Sequence, residues 1–269
     1  MLKFYCIFTV KSISAWAFRK TKNLWRTHAN KSNPKIITVN TIRGGSGKTL
    51  FSILLSKNLT GKKLLIDTDI QNSLSFWAQC KEPGKNFFNA VINQDIKNNV
   101  QKINNSTDII ISEIKLLDIQ NLEPNRFSFI QEQTQEYDYV IIDTAPTYSG
   151  IIYNCFQISD LIIMPCMLDF FSFKSLSYTL KKIESIKNNV KIKVFINGYE
   201  KSYSDNSYFA QLVSTLRSSE DITPYLSYTV IPKSVFFKQL SDNILDEIPE
   251  QARTKSLLSV ISDFISEVK

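Results

Sequence analysis

One stretch constrains this chain more than any other. The apolar, β-branched run Ile36-Ile-Thr-Val-Asn40 passes into Arg43-Gly-Gly-Ser-Gly-Lys-Thr49, and a helical pattern, Leu50-Phe-Ser-Ile-Leu-Leu-Ser-Lys57, follows at once. A strand that hands a glycine-rich turn to a helix N-terminus makes a phosphate-binding loop. Backbone N–H groups close around an anion, and the helix dipole favours negative charge there. Gly44, Gly45, Ser46 and Gly47 would form the cradle, Lys48 can reach terminal phosphates, and the Thr49 hydroxyl can sit on Mg²⁺. The general pattern G-x-x-x-x-G-K-[ST] lacks its first glycine here, because Ile42 stands five residues before Gly47.

From Lys35 onward the pattern alternates between strand and helix. Strand-like runs are 36–40, 63–67, 108–112, 139–143, 161–165, 193–197 and 226–231. Several, such as Val140-Ile-Ile142 and Leu161-Ile-Ile-Met164, are continuously apolar, as strands covered on both faces are. Helical stretches fall at 50–59, 72–79, 124–134, 172–187, 207–217 and 234–240. A last one, 255–268, spaces Leu257, Leu258, Ile261, Phe264, Ile265 and Val268 along one face. Such alternation predicts an α/β fold, a mostly parallel sheet flanked by helices on both faces. The stretch from Pro83 to Asn105 reads as the most loop-like part of the interior.

Charge divides the chain in two. Residues 1–35 hold eight cations and no acid, while the rest holds 24 of the 32 basic side chains against all 25 acidic ones. The basic character therefore belongs to an N-terminal extension, residues 1–34, expected to be disordered, and the domain proper spans residues 35–269. The extension interleaves Phe4, Tyr5, Phe8, Trp16, Phe18 and Trp25 with its cations. It reads as a nucleic-acid arm, a membrane-surface segment, a targeting peptide, or sequence upstream of the true translation start. With 43% hydrophobic and 21% charged residues, the composition is that of a soluble globular protein. No stretch approaches the ~18 apolar residues of a membrane span. Four cysteines without CxxC spacing predict reduced thiols in a cytoplasmic protein. His28 is the only histidine, so histidine triads and multi-histidine metal sites are excluded.

Two further segments end strands in carboxylates. In Leu64-Leu-Ile-Asp67-Thr-Asp69-Ile-Gln71, alternation sends Asp67 and Asp69 to the same side. Ligands of such sheets bind at the carboxyl ends of strands, where a carboxylate can orient or deprotonate a water. Tyr139-Val-Ile-Ile-Asp143-Thr-Ala-Pro146 offers a second carboxylate to a Mg²⁺ shell.

Together, Arg43-Gly-Gly-Ser-Gly-Lys-Thr49, Asp67-Thr-Asp-Ile-Gln71 and Asp143-Thr-Ala-Pro146 resemble the ParA/MinD family of deviant Walker ATPases, from about Lys35 to the C-terminus. The resemblance implies a P-loop NTPase fold, ATP and Mg²⁺ as cofactors, and an ATP-dependent sandwich homodimer with slow hydrolysis. It makes Lys48 and Thr49 ligands of phosphate and Mg²⁺, and Asp69 the residue that positions the attacking water. Asp67 supports the loop and the metal shell, Asp143 holds that shell, and Asn197 and Pro232 contact the adenine side. Arg43 replaces the family's signature lysine, which reaches the partner subunit's phosphates. It keeps the charge but is longer and planar. Leu50 stands where a second Thr or Ser is common, and Ile70 where Pro is usual.

Three functions fit the resemblance. A partition ATPase would dimerise on ATP, bind DNA nonspecifically through Arg217, Lys233 and Lys238, and release it when a centromere-binding ParB-like partner triggers hydrolysis. It would be cytoplasmic and nucleoid-associated. A membrane-positioned MinD-like ATPase would need a basic amphipathic C-terminal helix, and Asp263 and Glu267 argue instead for a helix packed on its own domain. A regulatory relative would bind nucleotide and turn over little, as a misplaced Arg43 would cause. Cluster cysteines, a tyrosine-rich tail and a helix-turn-helix are absent from the sequence.

Overall fold

A computed structural model describes residues 33–200, 207–234 and 255–269. The N-terminal extension up to Ser32, the helix expected at 234–240 beyond its first residue, and Lys238 lie outside the described residues.

Among the described residues, eight strands form one sheet. They are β1 (Lys35–Val39), β2 (Lys63–Asp67), β3 (Gln101–Asn104), β4 (Thr107–Ile110), β5 (Tyr139–Asp143), β6 (Leu161–Cys166), β7 (Lys191–Tyr199) and β8 (Leu226–Pro232). Their order is β3-β4-β2-β5-β1-β6-β7-β8. Every neighbouring pair is parallel except β3 with β4, an antiparallel hairpin at one edge. The described helices are α1 (Lys48–Asn58), α2 (Ser73–Ala78), α3 (Phe87–Asn93), α4 (Ser128–Gln133), α5 (Gly150–Ile158), α6 (Phe170–Ile186), α7 (Ser207–Ser218) and α8 (Lys255–Val268). None is long and apolar enough to cross a membrane.

Side-chain alternation divides the core into layers. Ile37, Val39, Leu65, Ile141, Ile163 and Phe195 face one way and pack under α1, α2 and α8. Ile36, Leu64, Ile66, Val140 and Ile142 face the other way, under α3, α4 and α5. Farther along that second face, Ile162, Met164, Val194 and Ile196 pack under α6 and α7. The continuous apolar runs Val140–Ile142 of β5 and Leu161–Met164 of β6 thus serve two cores. The sheet and its two helical layers are those that the alternation predicts.

Three elements escaped the pattern. The stretch from Pro83 to Asn105 is not a loop, since it holds α3 and β3. Asn86 caps α3 by accepting the Asn89 N–H (2.9 Å). β3 is a polar edge strand in which only Ile103 is apolar, so it lacks a strand signal. Asn104 turns the hairpin by accepting the Ser106 N–H (2.9 Å). Helix α5 was hidden by burial: Ile151, Ile152, Cys155, Phe156 and Ile158 are all in the interior, and the half-buried Tyr153 and Gln157 make too narrow a face to show a helical period.

Candidate functional site

The turn from β1 to α1 is tied down on two sides. The Asn40 side-chain amide donates to the Thr144 hydroxyl (2.8 Å), which donates to the Val39 carbonyl (2.8 Å), joining the ends of β1 and β5. The Asn197 amide at the end of β7 donates to the Ser46 carbonyl (2.7 Å). Gly47 has φ 98°, and a Cβ there would strike that same Asn197 amide, so conformation and space both demand glycine. Gly47 is also the N-cap of α1. It provides no side-chain cap, and the first turn contains no acid. The leading N–H groups of α1 are therefore left for an outside acceptor, at the positive end of the helix.

Lys48 is buried beside this turn. Burial lowers its pKa from the usual lysine value, and the charges of Asp143 and Asp69 oppose that fall. Asp143 and Asp67 end neighbouring strands in register with each other, both without meaningful exposure. The Thr49 hydroxyl donates to Asp143 Oδ2 (2.7 Å) and the Ser52 hydroxyl to Oδ1 (3.1 Å). Asp67 is engaged more fully. Its Oδ1 accepts the Asp69 N–H (3.0 Å), and its Oδ2 accepts the N–H (2.8 Å) and hydroxyl (2.6 Å) of Ser75. The Ser75 hydroxyl in turn accepts the Ser112 N–H (2.9 Å). Asp67 thus clamps α2 and the 67–75 turn, a loop-supporting geometry rather than that of an open metal ligand. Burial raises both carboxyls above their ordinary range, and for Asp143 the adjacent Asp67 charge adds to the rise.

Asp69 lies past the end of β2. Its Oδ1 accepts the Gln71 N–H (2.9 Å), which fixes its side chain over a cleft of about 910 Å³. Gly44, Gly45, Gly47, Lys48, Thr49, Asp69, Asn72 and Pro146 line that cleft, so all three sequence motifs converge on it. Arg43 stands at its margin, half-exposed, with Nε 3.9 Å from Asp169 Oδ2. Asn197 reaches the loop through the Ser46 carbonyl, whereas Pro232 ends β8 opposite Tyr199, outside the cleft lining. Of the cations considered for DNA, Arg217 is exposed in the last turn of α7, and Lys233 donates to Glu200 (2.7 Å). Sequence reading missed Ser52, Ser75, Asn40, Thr144 and Asp169. Ser and Thr hydroxyls carry no pattern until the fold places a carboxylate opposite them. Only Ser52 had a signal, lying one helical step from Thr49.

The residues present fit a magnesium nucleotide. An uncapped helix start, a buried lysine and a loop free of carboxylates suit phosphate. The Ser46 hydroxyl is buried without a protein partner. Thr49 and Asp143 form a hard-oxygen pair, and Mg²⁺ is typically held by one or two such groups together with water and substrate phosphates. No cluster of three or more acidic, cysteine or histidine ligands occurs among the described residues.

A parallel sheet with a glycine loop, buried lysine and strand-end carboxylates at one rim defines a P-loop nucleotide-binding protein. Residues 34–196 match the family model described as AAA domain. An uncharacterized protein of Methanocaldococcus jannaschii is 30% identical over 223 residues, covering 74% of this chain and 85% of that one. The chromosome-partitioning ATPase Soj of Treponema pallidum is 25% identical over 209 residues, covering 72% and 81%. Among solved structures, apo McdA of Cyanothece superposes with a TM-score of 0.72 at 20% identity, over 87% of this chain and 99% of that one. A plasmid partition protein of Borrelia burgdorferi gives 0.66 at 21% identity, with the same coverage. The chain belongs to this AAA-domain family, as a P-loop ATPase of the deviant Walker ParA/MinD type.

Proposed function

We propose that this chain is a ParA-like partition ATPase. It dimerises on ATP, binds DNA nonspecifically and moves plasmid or chromosome cargo in the cytoplasm, with slow hydrolysis stimulated by a centromere-binding ParB-like partner. The observation that carries the reading is the convergence of Lys48, Thr49 and Asp69 on one cleft at the carboxyl ends of β1, β2 and β5, with the buried Asp143 joined to it through the Thr49 hydroxyl. ATP with Mg²⁺ would supply the phosphoanhydride to be cleaved and the cation that offsets its charge. The open N–H groups of α1 hold the phosphates, and Lys48 neutralises them. Thr49 and Asp143 hold the cation's shell, and Asp69 orients the attacking water. Asn197 and Pro232, at the ends of β7 and β8, serve the adenine side. The relatives named for chromosome and plasmid partition support the cargo class.

The membrane-positioned alternative loses ground to packing. The apolar stripe of α8 is spent on the sheet, where Ile261, Phe264, Ile265 and Val268 are buried. The low-turnover alternative keeps one supporting contact, since Arg43 leans on Asp169 of its own chain.

Nucleotide binding and phosphate release together test the proposal. Lys48→Ala is expected to abolish binding of a fluorescent ATP analogue, while Asp69→Ala keeps binding and loses turnover. Rapid turnover by Asp69→Ala would sink the catalytic assignment. An Arg43→Lys variant that hydrolyses much faster than wild type would favour the low-turnover reading. DNA retention that needs ATP, and weakens with salt by a slope of about −0.9 per phosphate contact, is expected to involve Arg217, Lys233 and Lys238.

A further inference from the structure

The outer face of α6 carries aromatic side chains that the nucleotide cleft does not use. Tyr178, Lys182 and Ile186 follow each other at four-residue steps, one stripe along the helix. With Tyr148 and with Tyr153 and Phe156 of α5 they line a groove of about 500 Å³. Tyr148 and Tyr178 meet edge to face, centroids 5.3 Å apart, and are 42% and 55% exposed. Such an arrangement leaves two amphipathic rings partly in water above an apolar floor.

The groove is a built feature. The Gly150 N–H donates to the Gln120 carbonyl (2.6 Å), and a Cβ at Gly150 would strike the Leu122 backbone. Glycine there lets the 120–122 segment lie against the start of α5 and form the far wall. The loop that supplies Tyr148 also supplies Pro146 to the nucleotide cleft, so the two concavities share one connection.

Charge at the groove is one-sided. No acidic residue lines it. Lys182 is exposed and has no carboxylate within ion-pair range among the described residues. Lys181, one residue away, is neutralised by Asp221 (2.8 Å). A neighbouring groove on the other side of Tyr178 has Lys174 in its wall and again no acid. Duplex DNA is gripped by rows of cations against its phosphates, whereas this surface is concave and aromatic with a lysine on its rim. Its complement is an apolar anchor beside a carboxylate.

We propose that the groove between α5 and α6 docks an acidic segment of a partner protein. An aromatic or leucine side chain of that segment packs between Tyr148 and Tyr178, and a carboxylate pairs with Lys182. This docking does not depend on the nucleotide reading. Fluorescence anisotropy of the full chain with labelled peptides of about twelve residues tests it. The peptides share a central Trp-Leu pair set in glutamates, lysines or serines, and a short duplex DNA serves as the fourth probe. The glutamate peptide is expected to bind at least about tenfold tighter than the lysine peptide. Lys182→Glu should reverse that order, and Tyr178→Ala should lose binding while melting like wild type. Equal or absent binding of the three peptides would overturn the proposal, as would an order unchanged by Lys182→Glu. So would duplex binding that Lys182→Glu alone abolishes, or a self-associated form that Tyr178→Ala dissolves in sedimentation velocity. Lys182→Glu, an exposed charge reversal, keeps the test decisive if Tyr178→Ala fails to fold.

Discussion

Asp143 shows how much a single side chain can carry at this rim. It is shut away from water, faces Asp67 across a strand register, and is held by the Thr49 and Ser52 hydroxyls. Burial, reinforced by the charge of Asp67, pushes its pKa up against those hydroxyls and Lys48. The native state therefore binds protons more tightly than the unfolded chain, whose carboxyls titrate near ~4. Where the native state holds the extra protons, stability falls as pH rises. The nucleotide-free protein is expected to melt at higher temperature as pH drops from about 8 toward about 6, and Asp143→Asn should flatten that trend. Thermal melts across this range check it, and a wild-type trend of the opposite sign would refute the carboxylate pair as its source. Lys48, Thr49, Asp69 and Asp143 were legible as candidates because their types and spacing carry chemistry. Ser75, which satisfies Asp67, was not, because a serine on a short helix has no signature until its partner is known.

Among the elements, α8 is the one whose fate the structure decides. Its amphipathic stripe suits either a membrane surface or a protein core, and the fold commits it to the core. Phe264 meets Phe51 of α1 and Phe195 of β7, with ring centroids 5.1 and 4.9 Å away. Glu267 accepts from the Ser227 (2.6 Å) and Thr229 (2.5 Å) hydroxyls of β8, and the Lys35 ammonium donates to the Val268 carbonyl (2.7 Å) at the helix end. Of the two acids that argued against a membrane face, Glu267 is thus a group that docks the helix, while Asp263 stays exposed. Phe264→Ala is expected to cost about 3–5 kcal/mol, measured by urea unfolding. A loss under about 1 kcal/mol would mean that the aromatic cluster collapses without penalty. Elements with strong local signals, such as β5 and β6, were readable. The polar edge strand β3 and the largely buried α5 were not, since one had a single apolar residue, Ile103, and the other had too few exposed polar ones.

For the whole molecule, strand order is what makes a site out of three separated motifs. β5 lies between β1 and β2, so Val39, Asp67 and Asp143 end side by side although the chain visits them far apart. A ligand that bridges these ends stabilises the native state by mass action. Magnesium ATP at about one hundred times its Kd should add about 2.7 kcal/mol, and EDTA should remove most of that gain. Melting scans with nucleotide, with and without EDTA, check it, and an unchanged melting temperature would mean that the cleft does not take this ligand. By itself the sequence determined the phosphate loop, the α/β alternation and the three chemical stretches, because helix starts, strand periods and glycine turns are local events written in neighbouring residues. Tertiary structure alone decided that Asp67 clamps α2, that Arg43 leans on Asp169, that the C-terminal stripe is buried, and that Tyr148 and Tyr178 border one groove. Those outcomes depend on which distant segments the sheet brings within a few ångströms, and no spacing along the chain encodes that distance.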